Sequence, residues 1–564
     1  MMSVLFFASF FGWMEFARQR HHIRTCFLPV LIASTQTVVM VLCSLLGIML
    51  PAAYGLLGAG VLMLAFCLYQ EKARCITPWL NAASLFGLLG ALVLFVLLQG
   101  KVVGHFDNFT HWALVEKLLL TRNALPTLQD SIITYTNYPI ASAAWIYYFV
   151  TCTGLNSEDM WLFAQGLYMI ACLQTLFVFV EQKKGVLLCA LGSLLVVLLG
   201  NFALCSNTTI YNLLVDAMLP LCGVALTVMA GCEYCAVQDS RLILRRDARP
   251  RPWILLPLLC MVVQIKVSGL IFLVLPVGMM LSSAWRSGSR RALVQAVAIA
   301  LASVLLLLWW NWRHSLVFSN DGRHAMALET LQEKTGQQVA DIIAGTFRAL
   351  FTGKDILFLL VPLVLSFVVV LFADTSAVNL YGKLLAACVV VYLMYVVGLI
   401  CLYLFSMPLQ EALVLAGIAR YRRTMLIWLY AMLYIAMLYA LAHLSPALAS
   451  RRFAPAVAYG LVFACLLTGW YFNNQSYNRI KTIADDYQCE EMELRLELEQ
   501  LIASQHITGG GRYILYLPQE HTSSYYQTFY RYLLSYLTLS PHVTVTADAS
   551  TPCPPGTWGI HLPD

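Results

Sequence analysis

The residues best suited to chemistry lie between Gly104 and Trp112, a stretch that holds an acid, an amide, two histidines and a tryptophan. Asp107 and His111 stand four positions apart, so a helix would place the carboxylate and the imidazole on one face. A partly desolvated carboxylate there could take a proton from a hydroxyl group, and Trp112 could stack on a sugar ring or anchor at a membrane surface. An interfacial helix capped by Asp107 would explain the acid and the tryptophan, but not the density of polar groups.

Two ionisable residues stand inside long apolar runs. Asp216 lies six positions into the run 210–231, where a helix would bury it about 9 Å below its outer end. Ionisable side chains in such segments usually face a cavity and mark function, or pair with one another. We therefore predict that Asp216 is functional or is paired with Lys266, which lies at similar depth.

A basic stretch follows Glu411 and reads Arg420-Tyr421-Arg422-Arg423. Arginines can bind phosphate or pyrophosphate through two parallel hydrogen bonds. The alternative is that these side chains reach anionic lipid headgroups. Tyr138 is a weaker candidate for a site residue. It precedes a proline and is therefore expected in an extended conformation at the end of a loop.

Composition identifies the elements that must position these residues. Of 564 residues, 60% are hydrophobic and 11% are charged, whereas soluble proteins carry about 25% charged residues. The chain is therefore predicted to be an all-α protein that crosses a membrane many times. Its net charge of +6 is attributed to topology, because short cytoplasmic loops are enriched in Lys and Arg, and no nucleic-acid partner is expected.

Alternating segments place the basic loops on one side, which the positive-inside rule assigns to the cytoplasm. The loops at about 100–140 and 312–353, and the C-terminal tail, then lie outside the cell. We predict about 12–14 membrane segments within 1–473. The apolar runs are 2–16, 28–50, 52–69, 79–99, 158–181, 186–204, 210–231, 254–282, 292–311, 356–374, 383–406, 424–445 and 454–473.

The run 254–282 has basic residues on both flanks and is interrupted around Lys266. Two half-helices that meet at Lys266 near the outer side would leave both basic flanks on the cytoplasmic side. Broken helices of this kind are tolerated against protein or a water-filled cavity. One long tilted helix with a lysine reaching the interface is the alternative. We favour the broken pair.

Residues 474–564 have the composition of a soluble unit. We predict a small extracytoplasmic α/β domain with helices at 478–505 and 523–539 and strands at 513–517 and 543–546. Cys489 and Cys553 both lie in this unit, so either a disulfide or two unpaired thiols is possible.

The chain resembles bacterial membrane glycosyltransferases of the GT-C type, whose first large external loop reads like Trp-Asp-Glu-Phe-Ser-His-Trp. Residues 106–112 here read Phe-Asp-Asn-Phe-Thr-His-Trp. One departure is Asn108, which stands where a second acid is usual, so Asp107 would act alone or with Asp216, and a metal held by two adjacent acids is disfavoured. Three other short patterns also resemble recurring features of these glycosyltransferases: Lys266 with Gly269, Tyr211 with Asp216, and Glu411 followed by Arg420-Tyr421.

The resemblance implies an inverting transfer from a polyprenyl-phosphate-linked sugar to a saccharide, lipid or protein acceptor of the cell envelope. It implies a multi-pass protein of the bacterial cytoplasmic membrane with the site on the outer face. Asp107 would be the general base, with Asp216 as the second catalytic acid, and Lys266 and Arg420 would hold the phosphate. The remaining substrate-binding residues would be Asn108, His111, Trp112, Tyr138, Glu411 and Tyr421. No cofactor is expected, and a divalent metal stays an open alternative.

Two other classes of function stay open at this point. A transporter or flippase for a lipid-linked saccharide would also use membrane acids, a broken helix and a basic phosphate site. The large external segments favour the enzyme, because transport does not require them. In a polysaccharide polymerase or ligase, Arg420 rather than Asp107 would be the main catalytic residue.

Overall fold

A computed structural model gives the architecture of the chain. It describes residues 1–180, 186–204, 207–235, 252–318, 327–371, 375–442, 490–507, 509–548 and 550–562, together with the isolated positions 460 and 463. The described part is mostly helical and ends in a small sheet. The predicted run 454–473 lies outside these residues, apart from the two isolated positions.

Helices that pack side by side form the membrane portion. The first eleven are α1 Met2–His21, α2 Leu28–Leu45, α3 Met49–Glu71, α4 Ala82–Leu98, α5 Phe106–Thr110, α6 Trp112–Arg122, α7 Ala141–Thr153, α8 Glu158–Gln174, α9 Val186–Leu204, α10 Asn207–Ile210 and α11 Met218–Ala230. The next nine are α12 Leu256–Ile265, α13 Leu270–Arg286, α14 Arg290–Phe318, α15 Leu328–Gln332, α16 Gly336–Leu350, α17 Gly353–Leu371, α18 Thr375–Phe405, α19 Leu409–Leu413 and α20 Ile418–Ala442.

Within the described residues, six helical stretches are long and apolar enough to cross a membrane. They are Thr25–Leu45, Met49–Glu71, Glu158–Phe179, Val267–Arg286, Arg290–Phe318 and Val378–Phe405. Four shorter apolar helices accompany them, at Ala82–Leu98, Gly192–Leu204, Met218–Tyr234 and Pro252–Ile265. Because about 20 apolar residues span a bilayer, these helices support a multi-pass membrane protein.

The N-terminal helices pack so closely that only glycine fits at the contact. A Cβ atom on Gly12 of α1 would lie 2.0 Å from the carbonyl oxygen of Gly60 of α3. Small residues allow helix backbones to approach in this way. At one end of this pair, Arg18 forms an ion pair with Glu71 at 2.8 Å. The basic loops that follow α1 and α3 therefore lie at the same end of the bundle, as predicted.

The break predicted at Lys266 is confirmed. Helix α12 ends at Ile265, and Lys266 is extended, with φ −162° and ψ 144°. The next turn, Val267–Gly269, is a 3₁₀ helix that leads into α13. A Cβ atom on Gly269 would lie 2.2 Å from the carbonyl oxygen of Val262, so this turn requires glycine.

The prediction of a continuous helix around Asp216 is wrong. Residues 211–217 form turns and irregular backbone, and helix α11 begins only at Met218. The segment is buried and apolar, and a short buried apolar run does not distinguish helix from irregular backbone. Asp216 therefore lies just before a helix N-terminus, where the helix dipole favours a carboxylate.

The described residues of the segment 312–353, which is predicted to be an external loop, are largely helical. Helix α14 continues to Phe318, and α16 begins with a capping box in which Thr335 and Gln338 satisfy each other's backbone N–H groups. The neighbouring Lys334 is buried, and its ammonium group donates to the carbonyl oxygens of Leu404 at 3.1 Å and Met407 at 3.0 Å. These bonds hold the segment against the C-terminal end of α18.

The C-terminal unit contains one strand more than predicted. Helices α21 Glu490–Ser504 and α22 Ser524–Thr538 accompany strands β1 Arg512–Tyr516, β2 Val543–Thr546 and β3 Thr557–His561. The strands form a parallel sheet in the order β2-β1-β3. Residues 478–489 of the predicted first helix lie outside the described residues. So does Cys489, and the exposed Cys553 is a free thiol.

Candidate functional site

Four charged side chains from distant segments meet at one point. The guanidinium Nη1 of Arg420 contacts the carboxylate of Asp107 and lies 3.9 Å from the carboxylate of Asp216. The ammonium group of Lys266 lies 3.7 Å from the other oxygen of Asp216. All four side chains are partly buried. The structure thus brings together both predicted acids and both predicted cations, including the predicted Asp216–Lys266 pair.

Local structure fixes the position of Asp107. Helix α5 begins after His105, whose Nδ1 accepts the backbone N–H of Asp107 at 3.1 Å. Asn108 is fully buried; its amide donates to Asn212 at 2.8 Å and accepts the N–H of Leu213 at 3.2 Å. Asn108 therefore ties α5 to the segment that leads to Asp216, and its contact with a substrate stays a prediction.

The other three charges stand at breaks in the helices. Lys266 occupies the extended residue between α12 and α13. The backbone before Arg420 is left-handed at Leu415 and Gly417, with φ of 50° and 76°. Helix α20 then begins at Ile418, and the hydroxyl of its Thr424 donates to the carbonyl oxygen of Asp216 at 3.0 Å. These breaks bring charged side chains to one point from separate helices.

The charge on Asp107 is set by two opposing effects. Burial raises the pKa of its carboxyl group, because a charged form is disfavoured away from water. The guanidinium of Arg420 acts in the opposite direction and prevails, so the pKa lies below its ordinary value. Asp107 is therefore ionised at neutral pH and able to accept a proton.

His111 presents an unpaired nitrogen atom beside this cluster. The Thr110 hydroxyl donates to the carbonyl oxygen of Asp107 at 3.1 Å and lies 2.9 Å from Nδ1 of His111. A hydroxyl has a single hydrogen; with that hydrogen directed to the carbonyl oxygen of Asp107, Nδ1 carries the proton and donates to Thr110. Nε2 is then an acceptor, buried and without a hydrogen-bond partner among the described residues. Burial lowers the pKa of His111 to about 3, which keeps the ring neutral.

Aromatic rings surround His111. The break between α5 and α6 at His111 turns its ring edge-on to Tyr135 and Tyr138, with centroids 4.8 and 5.1 Å away. Trp112 stacks on Tyr138 at 5.6 Å. The ammonium group of Lys266 lies 5.9 Å from the Tyr138 ring and 5.2 Å from the Tyr421 ring. The aromatic rings and the charged cluster are therefore adjacent.

An open cleft runs beside these rings. His111, Trp112 and Tyr138 line it together with Tyr135, Trp310 and Arg313. The indole N–H of Trp310 donates to the carbonyl oxygen of Asn137 at 3.2 Å. Arg313 donates to the carbonyl oxygen of Pro126 at 3.0 Å. Trp310 and Arg313 were not predicted as site residues, although their position at the end of an apolar run was an available signal.

Two predicted residues lie around the turn that carries Arg420. Tyr421 is the residue after it, and the Tyr395 hydroxyl donates to its carbonyl oxygen at 2.8 Å. Glu411 lies in the short helix α19, and its carbonyl oxygen accepts the N–H of Ala416 at 2.9 Å. The main chain of Glu411 thereby helps to form the turn.

Comparison with protein-family models, curated proteins and solved structures finds no match to this chain. Among the described residues, no three His, Cys, Asp or Glu side chains are grouped closely enough to hold a metal ion. The geometry of the site therefore carries the functional argument.

Proposed function

We propose that the chain is a GT-C-like membrane glycosyltransferase, which moves a sugar from a polyprenyl-phosphate-linked donor to a hydroxyl group of a cell-envelope acceptor. The observation that carries the proposal is the meeting of Asp107, Asp216, Lys266 and Arg420 beside an aromatic cleft. Acids, cations and flat apolar rings are the groups that such a reaction uses. In this proposal the site faces the outside of the cell.

The two cations suit the donor phosphate. Both acids approach Nη1 of Arg420, and Nη2 and Nε carry further N–H donors. The Lys266–Asp216 contact of 3.7 Å is too long for a hydrogen bond, so the ammonium group can turn towards an anion. Fixed cations stabilise the negative charge that develops on the leaving phosphate, which is usually the largest catalytic effect.

The reaction exchanges one carbon–oxygen bond for another. The acceptor hydroxyl oxygen attacks the anomeric carbon from the face opposite the phosphate, and the bond from that carbon to the phosphate oxygen breaks. The bonding pair leaves with the polyprenyl phosphate, beside Lys266 and Arg420. The hydroxyl proton passes to the carboxylate of Asp107. Trp112 and Tyr138 offer apolar faces for a sugar ring, and His111 Nε2 accepts a sugar hydroxyl once the rings that cover it shift.

Donor binding makes Asp107 a stronger base. Arg420 contacts Asp107 and holds the pKa of its carboxyl group below the ordinary value. A phosphate beside Arg420 competes for the same guanidinium, and a weaker ion pair leaves the pKa of Asp107 higher. A base whose pKa lies nearer to the working pH removes a proton more effectively.

Reconstitution in vesicles tests the proposal. Radiolabelled polyprenyl-phosphate hexoses are supplied with a cell-envelope extract as acceptor, and label in the acceptor fraction is measured. Arg420→Met is expected to abolish transfer, because the phosphate loses its bidentate partner. Arg348→Met removes an exposed arginine of α16 and is expected to leave transfer unchanged. Absence of transfer by the wild-type protein with every hexose tested contradicts the proposal.

A flippase is the second candidate, and the broken helix at Lys266 favours it, because transporters use such breaks to bind substrates within the membrane. The same vesicles distinguish the two functions. A flippase moves the labelled donor between leaflets and leaves it intact, whereas the enzyme consumes it. Movement without consumption supports the flippase and overturns the glycosyltransferase.

A further inference from the structure

The C-terminal unit packs directly on the short helix that carries Asp107. Phe106 of α5 meets Tyr532 of α22 edge-on, with ring centroids 5.2 Å apart. Phe109 meets Phe529 at 5.9 Å and Tyr536 at 5.3 Å. Phe109 and Tyr536 are fully buried. The two phenylalanines flank Asp107 and Asn108 in sequence, so the face of α5 that packs on α22 is fixed by the C-terminal unit.

A buried ion pair joins the same two parts. Arg495 of α21 is only 2% exposed and binds the carboxylate of Glu158 through two bonds of 2.9 and 2.8 Å. The hydroxyl of Tyr536 donates to Glu158 at 2.6 Å. The other Glu158 oxygen accepts the N–H of Val103 at 2.8 Å, and Arg495 donates to the carbonyl oxygen of Val103. The N–H and the carbonyl oxygen of Val103, which lies just before α5, are therefore both hydrogen-bonded to this ion pair.

A third contact fixes the helix that follows the site. The ammonium group of Lys117, on α6, donates to the carbonyl oxygens of Tyr536 at 2.8 Å and Leu537 at 3.2 Å. It also lies 4.6 Å from the Tyr536 ring. A cation at the C-terminal end of α22 complements the free carbonyl groups there. The C-terminal unit thus contacts the chain before, within and after α5.

We propose that the C-terminal unit completes the candidate site, and that Arg495, Glu158 and Tyr536 are positioning residues for Asp107. This inference rests on the proposed glycosyl transfer for its catalytic consequence. Asn108 secures α5 from the membrane portion, and the C-terminal unit secures it from the other side. The Asp107 carboxylate is thereby held against Arg420, where a small displacement of a reacting group costs about 100-fold in rate.

Hydrogen exchange of the full chain in lipid nanodiscs tests the positioning without any ligand. Removing one partner of a buried ion pair leaves an uncompensated charge, so Arg495→Met and Glu158→Gln are expected to loosen the Val103 segment. Exchange of the amides of 103–111 should accelerate about tenfold, while that of the membrane helices stays unchanged. Unchanged exchange of 103–111 overturns the proposal.

A milder variant and a control variant complete the hydrogen-exchange test. Tyr536→Phe removes only the hydroxyl bond to Glu158 and keeps the ring, so it is expected to accelerate exchange of 103–111 by about threefold. If Arg495→Met fails to fold, hydrogen exchange of 103–111 in Tyr536→Phe decides whether the C-terminal unit holds this segment. Glu499→Gln is the control, because Glu499 also pairs with Arg495 at 2.7 Å but does not contact Val103 in the described structure.

Transfer kinetics separate positioning from general stability. Arg495→Met and Glu158→Gln are expected to lower kcat about 100-fold while the donor KM changes by less than about twofold. Arg495→Lys, which keeps the charge but loses the bidentate fork, should recover part of kcat. Faster exchange with unchanged kcat overturns the positioning role. If the wild-type protein transfers no sugar, the proposed function fails, and the exchange data still decide whether the unit holds the Asp107 segment.

Discussion

The guanidinium of Arg420 contacts the carboxylate of Asp107 across 313 residues of sequence. This ion pair joins the segment after α4 to the start of α20, and it places a cation beside the one acid that is proposed as the base. A phosphate that binds Arg420 would therefore alter the environment of Asp107 directly. In the proposed reaction, donor binding and activation of the acceptor would therefore be coupled through the Arg420 side chain.

Replacing Lys266 with methionine is expected to weaken donor binding and also to slow the chemical step, because the ammonium group lies beside the proposed leaving phosphate. A hydrogen bond to a charged group contributes about 1.5–3 kcal/mol, so the donor KM should rise about tenfold to 100-fold. Steady-state kinetics with a radiolabelled polyprenyl-phosphate hexose measures this. Lys383→Met, at an exposed lysine of α18, is the matched control. An unchanged donor KM in Lys266→Met would show that this lysine does not bind the phosphate.

Replacing Gly269 with alanine is expected to disturb the broken helix. The added Cβ would lie 2.2 Å from the carbonyl oxygen of Val262, and overpacking of this kind destabilises a protein by about 1–3 kcal/mol. Gly278→Ala in α13, the helix that follows this turn, is the control, because a Cβ there meets nothing within 4 Å. Thermal unfolding in detergent should show a lower midpoint for Gly269→Ala only, and equal midpoints would refute the close approach.

Stability is expected to decrease in acid partly through His111. Burial lowers the pKa of this histidine to about 3 from its ordinary value of 6.5, so between these values the unfolded chain binds the additional proton. The free energy of unfolding therefore falls as pH falls below 6.5, by at most about 1.4 kcal/mol per pH unit. Above 6.5 this contribution is fully present.

Unfolding midpoints measured between about pH 4 and about pH 7 test this, because that range covers most of the interval between the two pKa values. His111→Gln should flatten the dependence, whereas His506→Gln, at an exposed histidine, should leave the wild-type slope. The same slope in both variants would show that His111 is not the buried neutral group described here.

The sequence allowed the charged cluster to be predicted better than the path of the backbone around it. A lysine inside an apolar run is costly unless the helix is interrupted, and the interruption at Lys266 is confirmed. Asp216 was expected inside a helix but lies before one, because hydrophobicity reports burial and does not report backbone conformation. Its pairing with Lys266 was nevertheless correct.

Contacts between distant parts of the chain could not be predicted. Nothing in the local sequence of Arg495 indicates that it binds Glu158, 337 residues away. The sequence did not indicate that Asn108 also binds Asn212 and Leu213, because these residues become its neighbours only in the folded chain. The third strand, Thr557–His561, is short and contains a glycine, which weakens the alternating pattern that identifies strands.

Replacing Asp107 with asparagine tests the central claim most directly. The amide has the size of the carboxylate but cannot accept the proton, so the transfer rate should fall about 100-fold to 10,000-fold. Donor binding should persist, because Lys266 and Arg420 remain. Asp341→Asn, at an exposed acid of α16, should behave as wild type. Transfer at the wild-type rate by Asp107→Asn would contradict the account.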